Sequence, residues 1–502
     1  MNPAVSTFSA PRVRIIGTII LTTLILFQAA SHLLWLSISA HSGQVAIPYM
    51  MNRGMALFGT LWEQHAPAAS TIAAIAQRLL PFIAPVDVAR LLNLLVVAAI
   101  TVLVYRLAAR LAGDRPAAGI AAALVWVWWE PVYGNILFYF DTLLGLCACV
   151  AVLIWVEQGR RRPIAAAACA GLCMGLATLA KQHGWAAAVL FGAFILIYAR
   201  RAFAAYVIGA LTFPLIAIGW VSISGNLERY LYWNWGFNFS GLMDSDPLTG
   251  DFLRKLALSN LFVLPFALLL VRSTAPRRGL LLLLIWAGAA LTLLPRFGII
   301  HAMAHLPFAA VMAGVVVSSL IPKGLTPFAG WIAAMRALRP TDGALIGILA
   351  VVGIATLWTG AVVYVPNTLG RAAVPGYDEF APLVARMAER QSADDTLFIL
   401  PETDSTPQIH MMTGLLPPGL WVKGWRWYLE APGVSASVFD AWAIDPPDWI
   451  IVFPDLVVVG APAITPFTAW VSARYRVVDT VPDVVFHGDA VIYQRIPPAP
   501  SA

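Results

Sequence analysis

Apolar runs long enough to cross a bilayer recur along this chain so often that no water-soluble core could hold them all. They cover residues 13–38, 86–110, 117–133, 140–156, 164–181, 184–199, 203–224, 258–271, 279–295, 303–321 and 343–365, eleven in all. Of 502 residues, 60% are hydrophobic and only 12% are charged, where an ordinary soluble domain carries about 25% charged residues. That balance excludes a soluble enzyme, a disordered chain and a disulfide-stapled secreted domain. The expected fold class is a polytopic α-helical membrane protein.

The loops between the runs set the orientation. With the N-terminus in the cytoplasm, the inner loops carry Arg106, Arg110, Arg115, Arg160, Arg161, Arg162, Arg200, Arg201, Arg272, Arg277, Arg278, Lys323, Arg336 and Arg339. Only Asp114, Glu157 and Asp342 oppose them, which is the positive-inside pattern. The net charge of +6 therefore reports on membrane topology, not on a nucleic-acid partner. Arg12 and Arg14 precede the first run as in a signal peptide, but the run is longer than the roughly 7–15 residues of a signal core, so a retained helix is expected.

An odd number of spans places the tail on the outer side, and its 15 acidic against 8 basic residues agree. The chain is thus expected to divide into a membrane domain, 1–365, with external loops 40–85 and 225–257, and an extracytoplasmic α/β domain, 366–502. In the tail, 377–391 has helical periodicity, and TLFIL (396–400), WIIVF (449–453), YRVVD (475–479) and AVIYQRI (490–496) read as strands. In the loops, 55–80 has the spacing of amphipathic helices, and the aromatics from Tyr230 to Phe239 suit the headgroup level. Cys147, Cys149, Cys169 and Cys173 all fall within spans and read as small core residues. No repeat of 20–50 residues is present.

Ionisable groups at membrane depth are costly and mark function by default. Asp141 enters the fourth span, as a base, a metal ligand or a sugar-hydroxyl acceptor, or as a boundary carboxylate at the helix start. Lys181 closes the fifth span, where an ammonium holds a phosphate as a point charge or snorkels to the headgroups. Glu63 and His65 stand two apart in the first external loop, able to share a proton, a substrate or a metal. Arg296, His301 and His305 lie at the start of the tenth span, the two histidines one helical turn apart, suited to a phosphate or metal or to a structural role. Glu130 follows Trp126, Trp128 and Trp129 and reads as an interface residue. In the tail, Glu402, Asp404 and His410 follow the first strand, where α/β sheets bind ligands.

No P-loop, dinucleotide-binding turn, HExxH or GxSxG is present. The polar candidates collect near the outer face, away from cytoplasmic nucleotides. An enzyme there needs a donor that carries its own leaving group through the bilayer, and a lipid-phosphate-linked sugar is one.

The order of several stretches resembles a known family. These are NRGMALFGTLWEQHAPAAS, VARLLNLLVVAAITVLVYRLAARLAG, ILFYFDTLLGL, GRRRPIAAAACAGLCMGLATLAKQHG, RFGIIHAMAHLPF and a tail of the type DDTLFILPE, HMMTG and PPDWIIVFP. Nearly the whole chain is similar to the GT-C type membrane glycosyltransferases, specifically the bacterial protein O-mannosyltransferases and the aminoarabinose-lipid A transferase. The resemblance implies transfer of a sugar, with inversion, from a polyprenyl phosphate to a glycan, lipid or protein hydroxyl at the outer face of the bacterial cytoplasmic membrane. Membrane lipid is then a partner and nucleic acid is not. It assigns Lys181 to the donor phosphate with Arg296 and His301, Asp141 to the same cavity, and Glu63 with His65 to the loop acidic motif. No cofactor is firmly implied, though a divalent metal has room.

The chain departs from the family where an early loop acid is usual, reading His41-Ser42-Gly43-Gln44-Val45, and again at Phe58-Gly59-Thr60. Glu63 or Asp141 must then substitute for the missing base, or the chemistry differs. The rival reading is a non-catalytic carrier, flippase or scaffold for the lipid-linked sugar. On the sequence alone, Lys181→Ala is expected to abolish transfer and leave folding intact.

Overall fold

The computed structural model describes residues 10–34, 44–133, 138–242, 248–271, 273, 276–294, 298–320, 380–400, 406–422, 426–454, 465–484 and 488–497. The helices of its first 320 residues run in order α1 (Ala10–Leu34), α2 (Ala46–Asn52), α3 (Ala68–Leu79), α4 (Pro85–Leu111), α5 (Pro116–Tyr133), α6 (Phe140–Gln158) and α7 (Pro163–Ala180). They continue with α8 (Gly184–Tyr198), α9 (Phe203–Ile223), α10 (Leu227–Leu231), α11 (Gly250–Ser259), α12 (Val263–Val271), α13 (Pro276–Ala290) and α14 (Leu306–Ser319). Among the described residues six helices are long and apolar enough to cross a membrane, with shorter apolar helices beside them. The protein is a helical membrane protein with a C-terminal sheet. Ten of the eleven expected spans fall on helices; the run at 343–365 lies outside the described residues.

Local chemistry sets the helix ends. Proline opens α4, α5, α7 and α13, where its missing N–H has no partner to lose. Between α4 and α5 the chain reverses through Gly113 and Asp114, both at positive φ. The run at 258–271 is interrupted, with α11 ending at Ser259 and α12 starting at Val263.

The chain forms two compact units. Unit 1 holds 1–35, 91–216 and 245–372, so it contains most of the spans. Its helices pack through small residues. A Cβ on Gly171 of α7 would lie 2.2 Å from the Tyr206 carbonyl oxygen of α9, and one on Gly175 would lie 2.5 Å from that of Ala210. The same four-residue step on both helices means that α7 and α9 run parallel, with backbones nearly touching. α8 and α13 meet likewise at Ala187 and Gly288, 2.6 Å from a Cβ built there.

Unit 2 holds 36–90, 217–244 and 373–502. Its four-stranded sheet has the order β2 (Leu397–Leu400), β4 (Trp449–Val452), β6 (Gly488–Arg495), β5 (Tyr475–Val484), and only the β2–β4 pair is parallel. β2 and β4 are buried on both faces, as parallel strands usually are. Leu397, Ile399, Trp449 and Ile451 pack with Leu383 and Met387 of the helix Ala381–Ala388. The alternate residues Phe398, Leu400, Ile450 and Val452 pack with Trp62, Trp233, Phe237, Tyr428 and Trp442. The aromatics at 230–239 therefore do not line a headgroup belt as expected: Trp233 and Phe237 are core residues and only Phe239 is largely exposed. A second, two-residue parallel pairing joins β1 (Leu61–Trp62) to β3 (Trp421–Val422).

The α7–α9 contact generates a direct prediction. Gly171→Ala sets a methyl against a carbonyl that cannot move alone, and overpacking of this kind costs about 1–3 kcal/mol. The unfolding midpoint of the detergent-solubilised protein should fall by several degrees; an unchanged midpoint would contradict the close crossing.

Candidate functional site

Three of the sequence-predicted residues converge in unit 1. Asp141 is the second residue of α6, Lys181 directly follows α7, and His301 lies in the 3-10 turn Ile299–Ala304 ahead of α14. Gly145, one turn along α6 from Asp141, lets that turn approach, since a Cβ there would lie 3.1 Å from the Met303 carbonyl. The Lys181 ammonium donates to Asp141 Oδ1 at 2.9 Å and to Oδ2 at 2.8 Å, and lies 2.8 Å from His301 Nδ1. His301 Nδ1 is also 3.0 Å from Asp141 Oδ2. One nitrogen cannot accept from the ammonium and donate to the carboxylate together. An ammonium has donors only, so the Lys181 contact is a hydrogen bond when Nδ1 is the bare nitrogen of the ring, and the Asp141 contact is one when Nδ1 carries the proton. The His301 ring stacks on Tyr139, and its carbonyl accepts from Thr292 at 2.8 Å.

This corrects the reading of Asp141 as a boundary carboxylate. It is wholly buried, and the residue capping α6 is Tyr139, without a side-chain cap bond. Its negative charge is balanced by Lys181, which is itself 4% exposed and does not snorkel. The expected alignment of His301 with His305 does not form, because the intervening turn is 3-10. His305 Nε2 instead accepts from Asn260 Nδ2 at 3.2 Å, and Asn260 Oδ1 accepts from Trp286 at 2.9 Å. Arg296 lies outside the described residues.

Next to the cluster, His183 lies in the short turn that links α7 to α8. Burial and then the Lys181 charge lower its pKa from 6.5 to about 4, so it is neutral at physiological pH.

In unit 2, Glu63 and His65 follow β1 and are both buried. Glu63 Oε1 accepts from the His65 backbone N–H at 3.1 Å and also from His65 Nδ1. A carboxylate holding Nδ1–H fixes the tautomer and makes Nε2 the basic nitrogen. The Trp421 N–H, bonded to the Thr60 carbonyl at 2.8 Å, secures the strand that leads into this loop. His410 is fully buried, Nδ1 donating to the Leu415 carbonyl at 3.1 Å; Glu402 and Asp404 lie outside the described residues. Gln44, at the position lacking the usual acid, is fully buried, and its amide has no hydrogen-bond partner among the described residues.

One polar network was missed in the sequence. Glu130, read as a boundary residue, is 1% exposed, and its Oε2 accepts from His32 Nε2 at 3.1 Å. Asn93 donates to His32 Nδ1 at 3.0 Å and accepts from the Phe138 N–H at 3.1 Å, which fixes the amide orientation. Counting polar residues inside the first and third runs would have exposed this pair. Among the described residues no group of three or more His, Cys, Asp or Glu side chains converges.

No family model matches the sequence, and no curated protein matches it. Solved structures do match. ArnT from Cupriavidus metallidurans bound to undecaprenyl phosphate superposes at 14% identity, covering 97% of this chain and 99% of that one, with a TM-score of 0.63. The apo oligosaccharyltransferase of Archaeoglobus fulgidus matches at 12% identity over 87% of this chain and 69% of that one, TM-score 0.56. The mycobacterial arabinofuranosyltransferase AftD matches at 16% identity over 98% of this chain and 40% of that one, TM-score 0.54. All three are GT-C glycosyltransferases, and the fold described above is theirs.

Two predictions follow from the geometry. Removing one partner of a buried ion pair typically costs about 3–5 kcal/mol, so Lys181→Met should destabilise the protein as well as inactivate it, contrary to the expectation from sequence. Adding Asp141→Asn should restore much of the unfolding midpoint. For His183, the unfolded chain takes up a proton near pH 6.5 and the folded one only near about 4, so this group's stabilising contribution is lost as pH falls through that window. The fall in midpoint over that range should be shallower in His183→Gln, read by scanning calorimetry at several pH values.

Proposed function

We propose that the chain is a membrane glycosyltransferase that moves a sugar from a polyprenyl-phosphate-linked donor to a hydroxyl of a glycan, lipid or protein. The observation carrying this is the superposition over 97% of the chain on a structure holding undecaprenyl phosphate, together with a cation buried at the end of an apolar helix. The charge pattern supports a cytoplasmic N-terminus and an outer-face reaction in a bacterial cytoplasmic membrane.

The tasks divide between the two clusters. Lys181, with His301 and Arg296, takes the donor phosphate. All three ammonium hydrogens are engaged by Asp141 and His301, so a phosphate oxygen enters by exchange. An imidazole nitrogen is a weaker acceptor than a carboxylate, so the His301 contact is the one displaced. Asp141 then keeps the ammonium aimed while the phosphate leaves, an electrostatic role prepared before the reaction begins.

The base is the Glu63–His65 pair. Nε2 of His65 takes the acceptor proton, the freed oxygen attacks the anomeric carbon, and the bond from that carbon to the phosphate oxygen breaks with inversion. The lipid phosphate departs with the electron pair. Glu63, read from sequence as the base itself, becomes the group that orients the imidazole and stabilises its protonated form, since its Oε1 is bound to His65.

Loss of general-base catalysis costs roughly 10²–10⁴-fold in rate, so Glu63→Gln and His65→Gln should each lower kcat to that extent, with a combined effect well short of the product. The decisive assay compares envelope glycolipids and glycans by mass spectrometry in a deletion strain, complemented with wild type or with His65→Gln. Loss of one sugar unit, restored by wild type alone, supports the transferase. Unaltered glycans with a redistributed lipid-linked sugar would establish the carrier instead.

A further inference from the structure

The arginines at one end of unit 1 fall into two groups of different chemistry. Arg106 and Arg110, at the end of α4, are neutralised: Arg106 donates to Glu157 at 2.8 Å and Arg110 to Asp114 at 2.6 Å. Arg160, Arg161 and Arg162 before α7, Arg200 and Arg201 before α9, and Arg277 in α13 are exposed and have no carboxylate partner among the described residues.

Helix geometry brings this second group together. α7 and α9 run parallel, so their starts, at Arg160–Arg162 and Arg200–Arg201, lie side by side at one level. α8 and α13 run antiparallel, Ala187 against Gly288 and Tyr198 against Arg277. The Arg277 guanidinium sits 5.1 Å from the centre of the Tyr198 ring, two residues before Arg200. A cation held over an aromatic face loses less freedom when it binds an anion. The starts of α7, α9 and α13 all open at this end, and their dipoles add to the positive field.

A concentration of unpaired guanidinium groups at the end of apolar spans would repel itself in water. At a membrane surface it has a counter-charge within reach. We infer that the Tyr198–Arg201 turn, with Arg277 and the Arg160–Arg162 turn, is a binding site for the phosphodiester headgroup of an anionic membrane lipid. The guanidinium groups grip the phosphate oxygens in pairs, and the acyl chains lie along the exposed apolar side chains Ile197 and Ile208 of the same helices, 71% and 70% exposed. A lipid with two phosphates, such as cardiolipin, bridges the α7–α9 and α8–α13 sides and binds tighter than one with a single phosphate. The site is separate from Asp141, Lys181 and His301, which stand at the opposite ends of their helices.

The test is native mass spectrometry of the full chain in detergent, titrated with cardiolipin, phosphatidylglycerol and zwitterionic phosphatidylcholine. Near a membrane surface each arginine changes anionic-lipid affinity by roughly five-fold. Arg200→Gln/Arg201→Gln/Arg277→Gln together should therefore lower cardiolipin affinity by roughly 100-fold and leave phosphatidylcholine unaffected. Tyr198→Leu, which frees Arg277, should show a smaller loss. Arg254→Gln, removing an arginine already paired with Asp251 at 2.7 Å, should leave binding at the wild-type value. Unaltered cardiolipin binding in the triple variant, or equal binding of phosphatidylcholine by the wild type, would overturn the site. Displacement of cardiolipin by millimolar inorganic phosphate would overturn its assignment to a lipid. If the triple variant does not fold, Arg277→Gln alone decides by the same readings.

Discussion

The ion pair between Asp141 and Lys181 is the interaction on which unit 1 depends. Neither charge is tolerable alone in a medium without water, and each has its counter-charge within 2.9 Å. Satisfying both fixes the start of α6 against the end of α7, and the contact of each with His301 adds the turn before α14. Gly145 is the complement of this constraint, since a Cβ there would lie 3.1 and 3.3 Å from the Met303 and Ala304 carbonyls, tighter than ordinary contact. The charged cluster and the close helix crossings are thus two expressions of one requirement: polar groups at membrane depth must be satisfied within the protein.

The second cluster follows a different rule. Glu63 and His65 are two residues apart, so their pairing is local and asks nothing of distant helices. What it needs is a rigid loop, supplied by the two-residue pairing of β1 with β3 and by the aromatic core around Trp62, Trp233 and Tyr428. A long-range ion pair suits an electrostatic task, because it holds a charge in place while another charge changes. A local carboxylate–imidazole pair suits proton transfer, because the acid tunes the base through one hydrogen bond.

The division between what the sequence showed and what it hid follows the range of the interactions. Spans, the tail strands and the residues Asp141, Lys181 and His301 were legible because hydropathy and the rarity of charge at membrane depth are properties of single positions. Pairing was not. Glu130 stood after a run of tryptophans and looked like an interface residue, and only the approach of α1 and α4 supplies His32 and Asn93 to bury it. The β1–β3 ladder is two residues long and leaves no periodicity to detect. The aromatics of 230–239 carried the composition of a headgroup belt, yet their burial depends on the α/β sheet more than 150 residues away in the chain. His301 and His305 show the limit most simply: a four-residue spacing implies one face only if the turn between them is α, and here it is 3-10.

Charge is handled in opposite ways at the two ends of the same helices. Where α6 and α7 carry Asp141 and Lys181, each charge is buried and answered inside the protein, so the phosphate contact proposed for Lys181 requires exchange at the ammonium. At the other end, the arginines beside α7, α9 and α13 are exposed and unanswered by carboxylates among the described residues. A buried pair is selective because desolvation penalises every wrong partner; an exposed cationic surface is permissive because water and lipid headgroups both solvate it. The proposed chemistry on a single anomeric carbon calls for the first kind of site, and the proposed contact with an anionic lipid headgroup calls only for the second.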